Sequence, residues 1–267
     1  MTQSNSVQNT ARPETVALFV SDLHLQSDMP ATAAAFLQFL KQAGQARQLY
    51  LLGDIFEYWA GDDDLGAPFV QGIVAALKQV SDAGVALFWM AGNRDFLVGS
   101  EFAKATGATL LPDPFILRHA NQTILLSHGD QLCTDDLAYQ QFRAMVRQNT
   151  WQTAFLARPL QERKAMIEQM RVQSRQHQQQ QPTMIMDVNP QAVAQFYNQH
   201  QAQTFIHGHT HRPALHQNGN LQRVVLSDWD CDHAPTRGDW LALHTDGTLQ
   251  RYNLQGRAIQ SVTCHDV

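Results

Sequence analysis

Three short apolar runs, each ending in polar residues, alternate with amphipathic segments in the first hundred residues. The runs are VALFVSDLHL (16–25), QLYLLGDIFEYW (48–59) and VALFWMAGNRDF (85–96). The segments between them, 31–44 and 67–84, have helical periodicity and end in glycine, a common residue just after a helix. Such alternation is typical of a parallel sheet covered by helices, so we expect an α/β fold.

More strand-like segments follow in the second half of the chain. They are 115–130, 203–211, 221–230 and 240–254, and turns such as ANQ and TDG separate several strands. Because no helix intervenes between the last of these segments, we predict that they form a second, more antiparallel sheet. The expected architecture is two sheets between outer layers of helices.

Residues 135–185 interrupt this rhythm with a strongly helical stretch that Pro159 breaks and that ends in a glutamine run. From Ala138 to Gln181, seven basic and two acidic residues give a net charge of +5, although the whole chain carries −5. We predict a helical lid at 135–185, inserted between core segments 15–134 and 186–267. The alternative is that these charges only solvate a helix face. Residues 1–14 are polar, and we expect a disordered tail there.

Composition limits the cellular compartments and the binding partners that fit this chain. The three cysteines are widely spaced and form no CxxC pair, which favours a reducing compartment. No stretch approaches the ~18 apolar residues of a spanning helix, and the N-terminus has no signal-peptide core. We therefore expect a cytoplasmic, soluble chain. The net charge of −5 argues against a nucleic-acid binder, including a nuclease that follows a DNA backbone.

Five polar clusters stand where apolar runs end. They are SDLH (21–24), GD (53–54), GNRD (92–95), SHGD (127–130) and HGHTH (207–211). In open α/β sheets, ligands bind at the carboxyl ends of the strands. A short cluster such as GD or SDLH is alone equally compatible with a turn, but together they predict one pocket. It would contain Asp22, His24, Asp54, Asn93, His128, His209 and His211.

These residue types indicate a metal centre. They offer oxygen and imidazole donors without a thiolate, which favours Mn, Fe or Zn over a structural zinc site. Seven ligands exceed one tetrahedral site and fit two cations that share a carboxylate at a separation of ~3.5–4 Å. Two divalent cations against two aspartates leave excess positive charge, so phosphate is the natural ligand. We expect His207 to be a buried strand residue instead.

The ordered motifs D-x-H, GD, GN, H and GHxH resemble those of the calcineurin-like metallophosphoesterases over about residues 16–250. The resemblance implies a four-layer αββα metallophosphoesterase sandwich. It also implies that the first metal is held by Asp22, His24, Asp54 and His211, with Asp54 bridging. Asn93, His128 and His209 would complete the second metal site.

The residue after Asn93 indicates which kind of leaving group the site can release. Many members of that superfamily have a histidine there, which protonates a poor alkoxide leaving group, whereas this chain has Arg94. Arginine keeps its proton near neutral pH but clamps phosphate and stabilises transition-state charge. A site without that acid suits a leaving group that departs easily, such as the phosphate of a pyrophosphate linkage.

A closer resemblance is carried by FEYWAGDDD, GNRDFLVG, LSHGDQLCTDDLAYQQFR, IMDVN and IHGHTHRPA. These segments resemble the family of UDP-2,3-diacylglucosamine hydrolases of the Gram-negative lipid A pathway. That resemblance implies two Mn²⁺ ions, a UDP-linked diacylated glucosamine lipid as substrate and water attack on the uridine-side phosphorus. It also implies peripheral contact with the cytoplasmic face of the inner membrane. We expect a monomer.

The same resemblance implies the substrate contacts. Asn93, Arg94 and His209 would act on the scissile phosphate, and Asp136 and Ser174 would contact the substrate nearby. Arg171, Gln178 and Gln181 are further candidates, although Gln181 stands where the family has a lysine. For Asp136 the alternative is a carboxylate that stabilises a helix N-terminus.

Apolar residues of the lid would surround the acyl chains, unless they only pack the lid onto the core. They are Trp151, Phe155, Leu156, Leu160, Met166, Ile167 and Met170. Two other functions stay open. A general phosphodiesterase or dinucleoside tetraphosphatase would need no apolar groove, and a non-enzymatic scaffold of the same fold would usually lack some metal ligands.

Overall fold

The computed structural model describes residues 14–180, 187–260 and 263–265. The predicted tail, except Glu14, and Gln181 lie outside the described residues. The strands are β1 (Thr15–Val20), β2 (Gln48–Leu52), β3 (Ala86–Met90), β4 (Thr109–Leu111), β5 (Phe115–His119), β6 (Gln122–Leu126), β7 (Thr204–His207), β8 (Ala214–Asn218), β9 (Leu221–Val225), β10 (Asp239–His244), β11 (Leu249–Asn253), β12 (Ala258–Ile259) and β13 (Thr263–His265). The helices are α1 (Pro30–Ala43), α2 (Pro68–Asp82), α3 (Ser100–Thr106), α4 (Leu137–Val146), α5 (Asn149–Leu156), α6 (Leu160–Gln180) and α7 (Pro190–His200).

Within the described residues the strands form two sheets. The first has the order β12-β11-β10-β1-β2-β3-β4; β1, β2 and β3 run parallel as predicted, and β4, which was not predicted, is parallel to β3. The second has the order β13-β8-β9-β7-β6-β5. It is mixed, because β7 pairs in parallel with both β6 and β9 while β5–β6 and β8–β9 are antiparallel.

One sheet assignment from the sequence was wrong. The segment 240–254 forms β10 and β11, which join the first sheet because β10 pairs antiparallel with β1. All six residues of β10 are buried, since the strand lies inside the sheet between β1 and β11. A local pattern shows that such a segment is a strand but does not identify its partner.

Alternating side chains build the layers. On β1, Ala17 and Phe19 face the second sheet, whereas Leu18 and Val20 pack in the core that contains residues of α1 and α2. On β6, Leu125 packs in the core that contains residues of α7. This period of two, with both faces apolar, is what a strand needs between two covered layers. The predicted αββα sandwich is confirmed.

Helices α4 to α6 occupy residues 137–180 between the two halves of the sandwich sequence. Trp151, Met166, Ile167 and Met170 pack partly buried against the core under α1 and α2. The bounds of a lid at 135–185 stay a prediction. No helix in the described part of the chain is both long enough and apolar enough to cross a membrane.

Arg163 fastens α6 to the sandwich. Its guanidinium donates to the carbonyls of Ala60 and Arg158 and pairs with Asp63, and the residue is 2% exposed. We expect Arg163→Met to lower the free energy of unfolding by about 2 kcal/mol, because the buried Ala60 carbonyl loses this donor. Urea denaturation measures the change. Arg158→Met removes an exposed side chain and should cost under ~0.5 kcal/mol; an equal loss in both variants would contradict the assignment.

Candidate metal centre and adjoining cavity

The seven predicted ligands come together at one edge of the two sheets. Each follows the carboxyl end of a strand: β1, β2, β3, β6 or β7. Ligand atoms of Asp22, His24 and His211 lie within 4.8 Å of one another, and those of Asp54, His128 and His209 form a second such group. The Asn93 Oδ1 atom lies 2.9 Å from His128 Nε2 and 2.8 Å from His209 Nδ1, so the amide joins the second group.

The backbone at these residues is strained. The φ angle is positive at five of the candidate ligands, which are Asp22 (53°), His24 (48°), Asp54 (54°), His209 (69°) and His211 (54°). Residues other than glycine rarely adopt this left-handed region. Such strain is typical of functional sites, where the surrounding structure holds side chains in a required direction. The loops therefore aim these side chains into the pocket.

Two glycines allow the loops to approach the carboxylates. A Cβ atom on Gly92 would overlap the Asp54 carboxylate, and one on Gly208 would overlap that of Asp22. The backbone N–H of His209 can then donate to both oxygens of Asp22, at 2.9 and 3.1 Å. Glycine is required where a backbone passes this close to a ligand.

The first group has the donor arrangement of a cation site. His24 Nε2 and His211 Nε2 lie 3.2 Å apart, and the Nδ1 atom of His24 lies 2.8 Å from Glu57 Oε2. A carboxylate beside Nδ1 takes that N–H, which leaves a lone pair on Nε2. Burial opposes ionisation of Asp22, but His211 and the other imidazoles hold the pKa of its carboxyl well below its usual range. His24, His211 and Asp22 would hold a cation through the two Nε2 atoms and the carboxylate.

The second group has similar features. His128 Nδ1 donates to the Leu52 carbonyl at 3.0 Å, so its Nε2 atom is the one that faces Asn93 Oδ1. Burial lowers the pKa of His128, yet Asp54 and Asp22 raise it to about 9; burial and then His128 lower the pKa of His209 to about 4. Nearby carboxylates thus favour the charged form of His128, and the charge on His128 favours the neutral form of His209.

The charge of Asp54 affects the pKa of an imidazole in each of the two groups. Its charge raises the pKa of His24 in the first group, against burial and alongside Glu57, and that of His128 in the second. Its Oδ1 atom accepts the backbone N–H of Arg94 at 2.8 Å and lies 3.6 Å from His128 Nε2. By distance its ligand oxygen belongs to the second group, and its sharing between two cations stays a prediction.

Asp95, which the sequence analysis did not single out, holds two of these loops together. The fully buried carboxylate accepts backbone N–H groups from Gly92 and Ile55 at 2.8 Å and longer ones from Asp54 and Phe56. Burial and the nearby Asp54 raise the pKa of Asp95 to about 6. Its place in GNRD, directly after the candidate ligand and Arg94, was the available signal.

A cavity of 280 Å³ lies beside Asn93 and Arg94. Its other lining residues are mostly apolar or aromatic: Tyr58, Trp59, Phe96, Leu97, Ala138, Tyr139, Phe142, Trp151, Phe155, Ile167 and Met170, with Glu57, Asp136 and Arg171 at polar positions. The Arg94 Nε atom is buried and has no hydrogen-bond partner within the described residues. A guanidinium nitrogen without a partner, beside a mostly apolar cavity, is available to bind an anionic group there.

The remaining predicted contacts differ in their placement. Asp136 accepts the backbone N–H of Tyr139 at 2.9 Å, so it caps α4 and also lines the cavity. Arg171 lines the cavity while bound to Glu57 and Glu168. Ser174 and Gln178 lie in α6. His207 is buried, with Nδ1 2.8 Å from the Gly208 carbonyl, and belongs to neither group.

The fold and this site define the class of protein. The family model of the calcineurin-like phosphoesterases matches residues 16–213, so the chain belongs to that family. Curated proteins similar to this chain include UDP-2,3-diacylglucosamine hydrolases. The chain is 48% identical to the one from Aromatoleum aromaticum, with 84% of this chain and 93% of that protein covered. It is 46% identical to the one from Chromohalobacter salexigens (90% and 99%) and 50% identical to the one from Serratia proteamaculans (79% and 90%).

Proposed function

We propose that this chain hydrolyses the pyrophosphate bond of UDP-2,3-diacylglucosamine in lipid A biosynthesis, releasing UMP and 2,3-diacylglucosamine 1-phosphate. The names of its relatives support the substrate. The observation that carries the proposal for this chain is the apolar cavity that opens beside Asn93 and Arg94. A phosphodiesterase for small, water-soluble substrates has no need of such a cavity.

The proposed cofactor is a pair of Mn²⁺ ions. Asp22, His24, Asp54 and His211 would hold one, and Asn93, His128 and His209 would hold the other with Asp54 shared. Their nitrogen and oxygen donors fit Mn²⁺. Two such cations supply a water of lowered pKa and neutralise phosphate charge.

The protein's own groups position the diphosphate. The Arg94 guanidinium, with its unpartnered Nε, would clamp the uridine-side phosphate, and Asn93 and His209 would contact the same group. No proton donor is needed on the leaving side, because a sugar phosphate leaves readily as an anion. Catalysis is then mostly positioning and charge stabilisation.

The cavity would take up acyl-chain methylenes. Each buried CH₂ contributes roughly 0.8 kcal/mol, so even part of an acyl chain binds substantially. Trp151, Phe155, Ile167 and Met170 line it, whereas Leu156 is 40% exposed. Asp136 lines the same cavity and is proposed to contact the glucosamine, and Ser174, Gln178 and Gln181 are proposed contacts further along the chain.

Release of UMP from three substrates tests the proposal. Metal-depleted protein would be supplied with Mn²⁺ and given UDP-2,3-diacylglucosamine, UDP-N-acetylglucosamine or a dinucleoside polyphosphate. We expect rapid turnover of the diacylated compound only. Equal rates on the compounds without acyl chains would indicate a general phosphodiesterase or dinucleoside tetraphosphatase with the same metal centre.

A charge in the cavity should affect acylated substrates selectively. We expect Ile167→Asp to lower kcat/KM for UDP-2,3-diacylglucosamine by about 10- to 100-fold, because acyl chains would have to desolvate the carboxylate. Steady-state assays with long and short acyl chains measure the effect, which should shrink with the shorter chains. Leu110→Asp, at an apolar side chain of β4 that is 39% exposed and does not line the cavity, is the matched control and should retain activity. A uniform loss for all chain lengths would contradict the acyl-binding role.

We also propose peripheral contact with the cytoplasmic face of the inner membrane, where such a lipid resides. Exposed Leu137 and Met145 on α4, together with the exposed Arg158, support this contact. We propose a monomer without a nucleic-acid partner.

A further inference from the structure

The Glu57 carboxylate lies between the candidate metal centre and helix α6. Its Oε2 atom is 2.8 Å from His24 Nδ1. Its Oε1 atom accepts two hydrogen bonds from Arg171, from Nε at 3.1 Å and from Nη2 at 2.8 Å. The side chains of Glu57 and Arg171 are each 15% exposed. One carboxylate thus joins a candidate metal ligand to the helix that lines the cavity.

The contact with His24 decides which ring nitrogen faces the cation. A carboxylate beside Nδ1 fixes the N–H there and directs the Nε2 lone pair towards Asp22 and His211, the other members of the first group. Partners of this kind also fix the orientation of the ring. Their loss typically weakens metal binding by about 10- to 100-fold.

Through Arg171, the same carboxylate is hydrogen-bonded to helix α6. The guanidinium also donates from Nη1 to Glu168 at 2.8 Å and lies 5.5 Å from the centre of the Tyr58 ring. The fork of Arg171 is therefore held in one orientation by three neighbours. A shift of this part of α6 would therefore move two of the donors that Glu57 accepts.

We propose that Glu57 is a positioning residue that orients His24 for the first cation and, through Arg171, couples occupancy of that cation site to the order of helix α6. The inference rests on the proposed metal centre and requires no particular substrate. Because such coupling is reciprocal, binding of the cation should order the helix, and a firmly held helix should strengthen cation binding.

Two measurements on the full chain without substrate test the coupling. Calorimetric titration of metal-depleted protein with Mn²⁺ gives the affinity at each site, and hydrogen exchange over residues 161–172 reports the order of α6. In the wild type we expect Mn²⁺ to slow exchange in α6. In Glu57→Gln we expect one site to bind about 10- to 100-fold more weakly and the slowing to disappear. Wild-type affinity and slowing in this variant would overturn the proposal.

Two further variants distinguish the contact of Glu57 with His24 from its contact with Arg171. Arg171→Met leaves Glu57 beside His24, so Mn²⁺ should still bind both sites while its effect on α6 exchange is lost; a retained effect would overturn the coupling, even if Glu57→Gln does not fold. Asp64→Asn is the matched control, because the Lys164–Asp64 pair (2.7 Å) also ties α6 to the core but contacts no candidate ligand. There the Mn²⁺ effect should persist, and its loss would count against a route through Glu57. A wild type that binds no Mn²⁺ would instead contradict the proposed function itself.

Discussion

Replacing Asp54 by alanine should abolish turnover and leave the protein folded. Asp54 belongs to the second group of candidate ligands, and its charge, together with the Glu57 hydrogen bond, also raises the pKa of His24 in the first group. Without it, the two sites lose their proposed shared ligand and the negative charge that offsets two divalent cations. We expect kcat to fall by more than about 10³-fold, beyond the loss that follows removal of a single transition-state hydrogen bond. Elemental analysis should show fewer than two Mn²⁺ ions per chain.

The matched control for this change is Asp82→Ala at the end of α2. That carboxylate pairs only with Lys78 among the described contacts and is exposed, so activity and metal content should be unchanged. An Asp54→Ala protein that binds two Mn²⁺ ions and turns over normally would show that Asp54 does not bridge.

Replacing Arg94 by methionine should separate catalysis from metal binding. The backbone N–H of Arg94 donates to Asp54, and the substitution retains that bond while it removes only the guanidinium. We expect two Mn²⁺ ions to bind as before. We expect kcat to fall by about 10²- to 10³-fold, because the group that would stabilise charge on the scissile phosphate is missing. Steady-state kinetics together with metal analysis give both values.

Arg118→Met, an exposed arginine of β5, is the control and should behave as the wild type. Arg94→Lys should recover only part of the lost rate, since an ammonium group cannot clamp phosphate through two parallel hydrogen bonds. Loss of metal from Arg94→Met would mean that the side chain supports the ligands and not the substrate.

Much of the fold could be predicted from local sequence patterns. Helices expected at 31–44 and 67–84 are found at Pro30–Ala43 and Pro68–Asp82, because their periodicity and terminal signals lie within the segments themselves. The alternation of runs likewise predicted the parallel strands β1 to β3. The placement of β10 beside β1 could not be predicted in this way, because it depends on pairing between residues more than two hundred positions apart.

The candidate site also contains residues that local motifs predict and residues that only the folded chain reveals. The candidate ligands could be listed because each stands at the end of an apolar run in a recognisable motif. Glu57 was missed because it lies inside the apolar run QLYLLGDIFEYW, where only the folded chain shows that it faces both His24 and Arg171. The cavity was expected only in outline, since packing between distant segments decides which apolar side chains line it and which, like Leu156, are exposed.

Hydrolysis of UDP-2,3-diacylglucosamine in ¹⁸O-labelled water tests the central claim most directly. The reaction would be run with Mn²⁺-loaded protein, and mass spectrometry would locate the label in the two phosphate products. Attack on the phosphorus that Arg94 and Asn93 are proposed to hold predicts ¹⁸O in UMP and none in 2,3-diacylglucosamine 1-phosphate. Label in the lipid phosphate, or no cleavage of the diacylated substrate, would contradict the account.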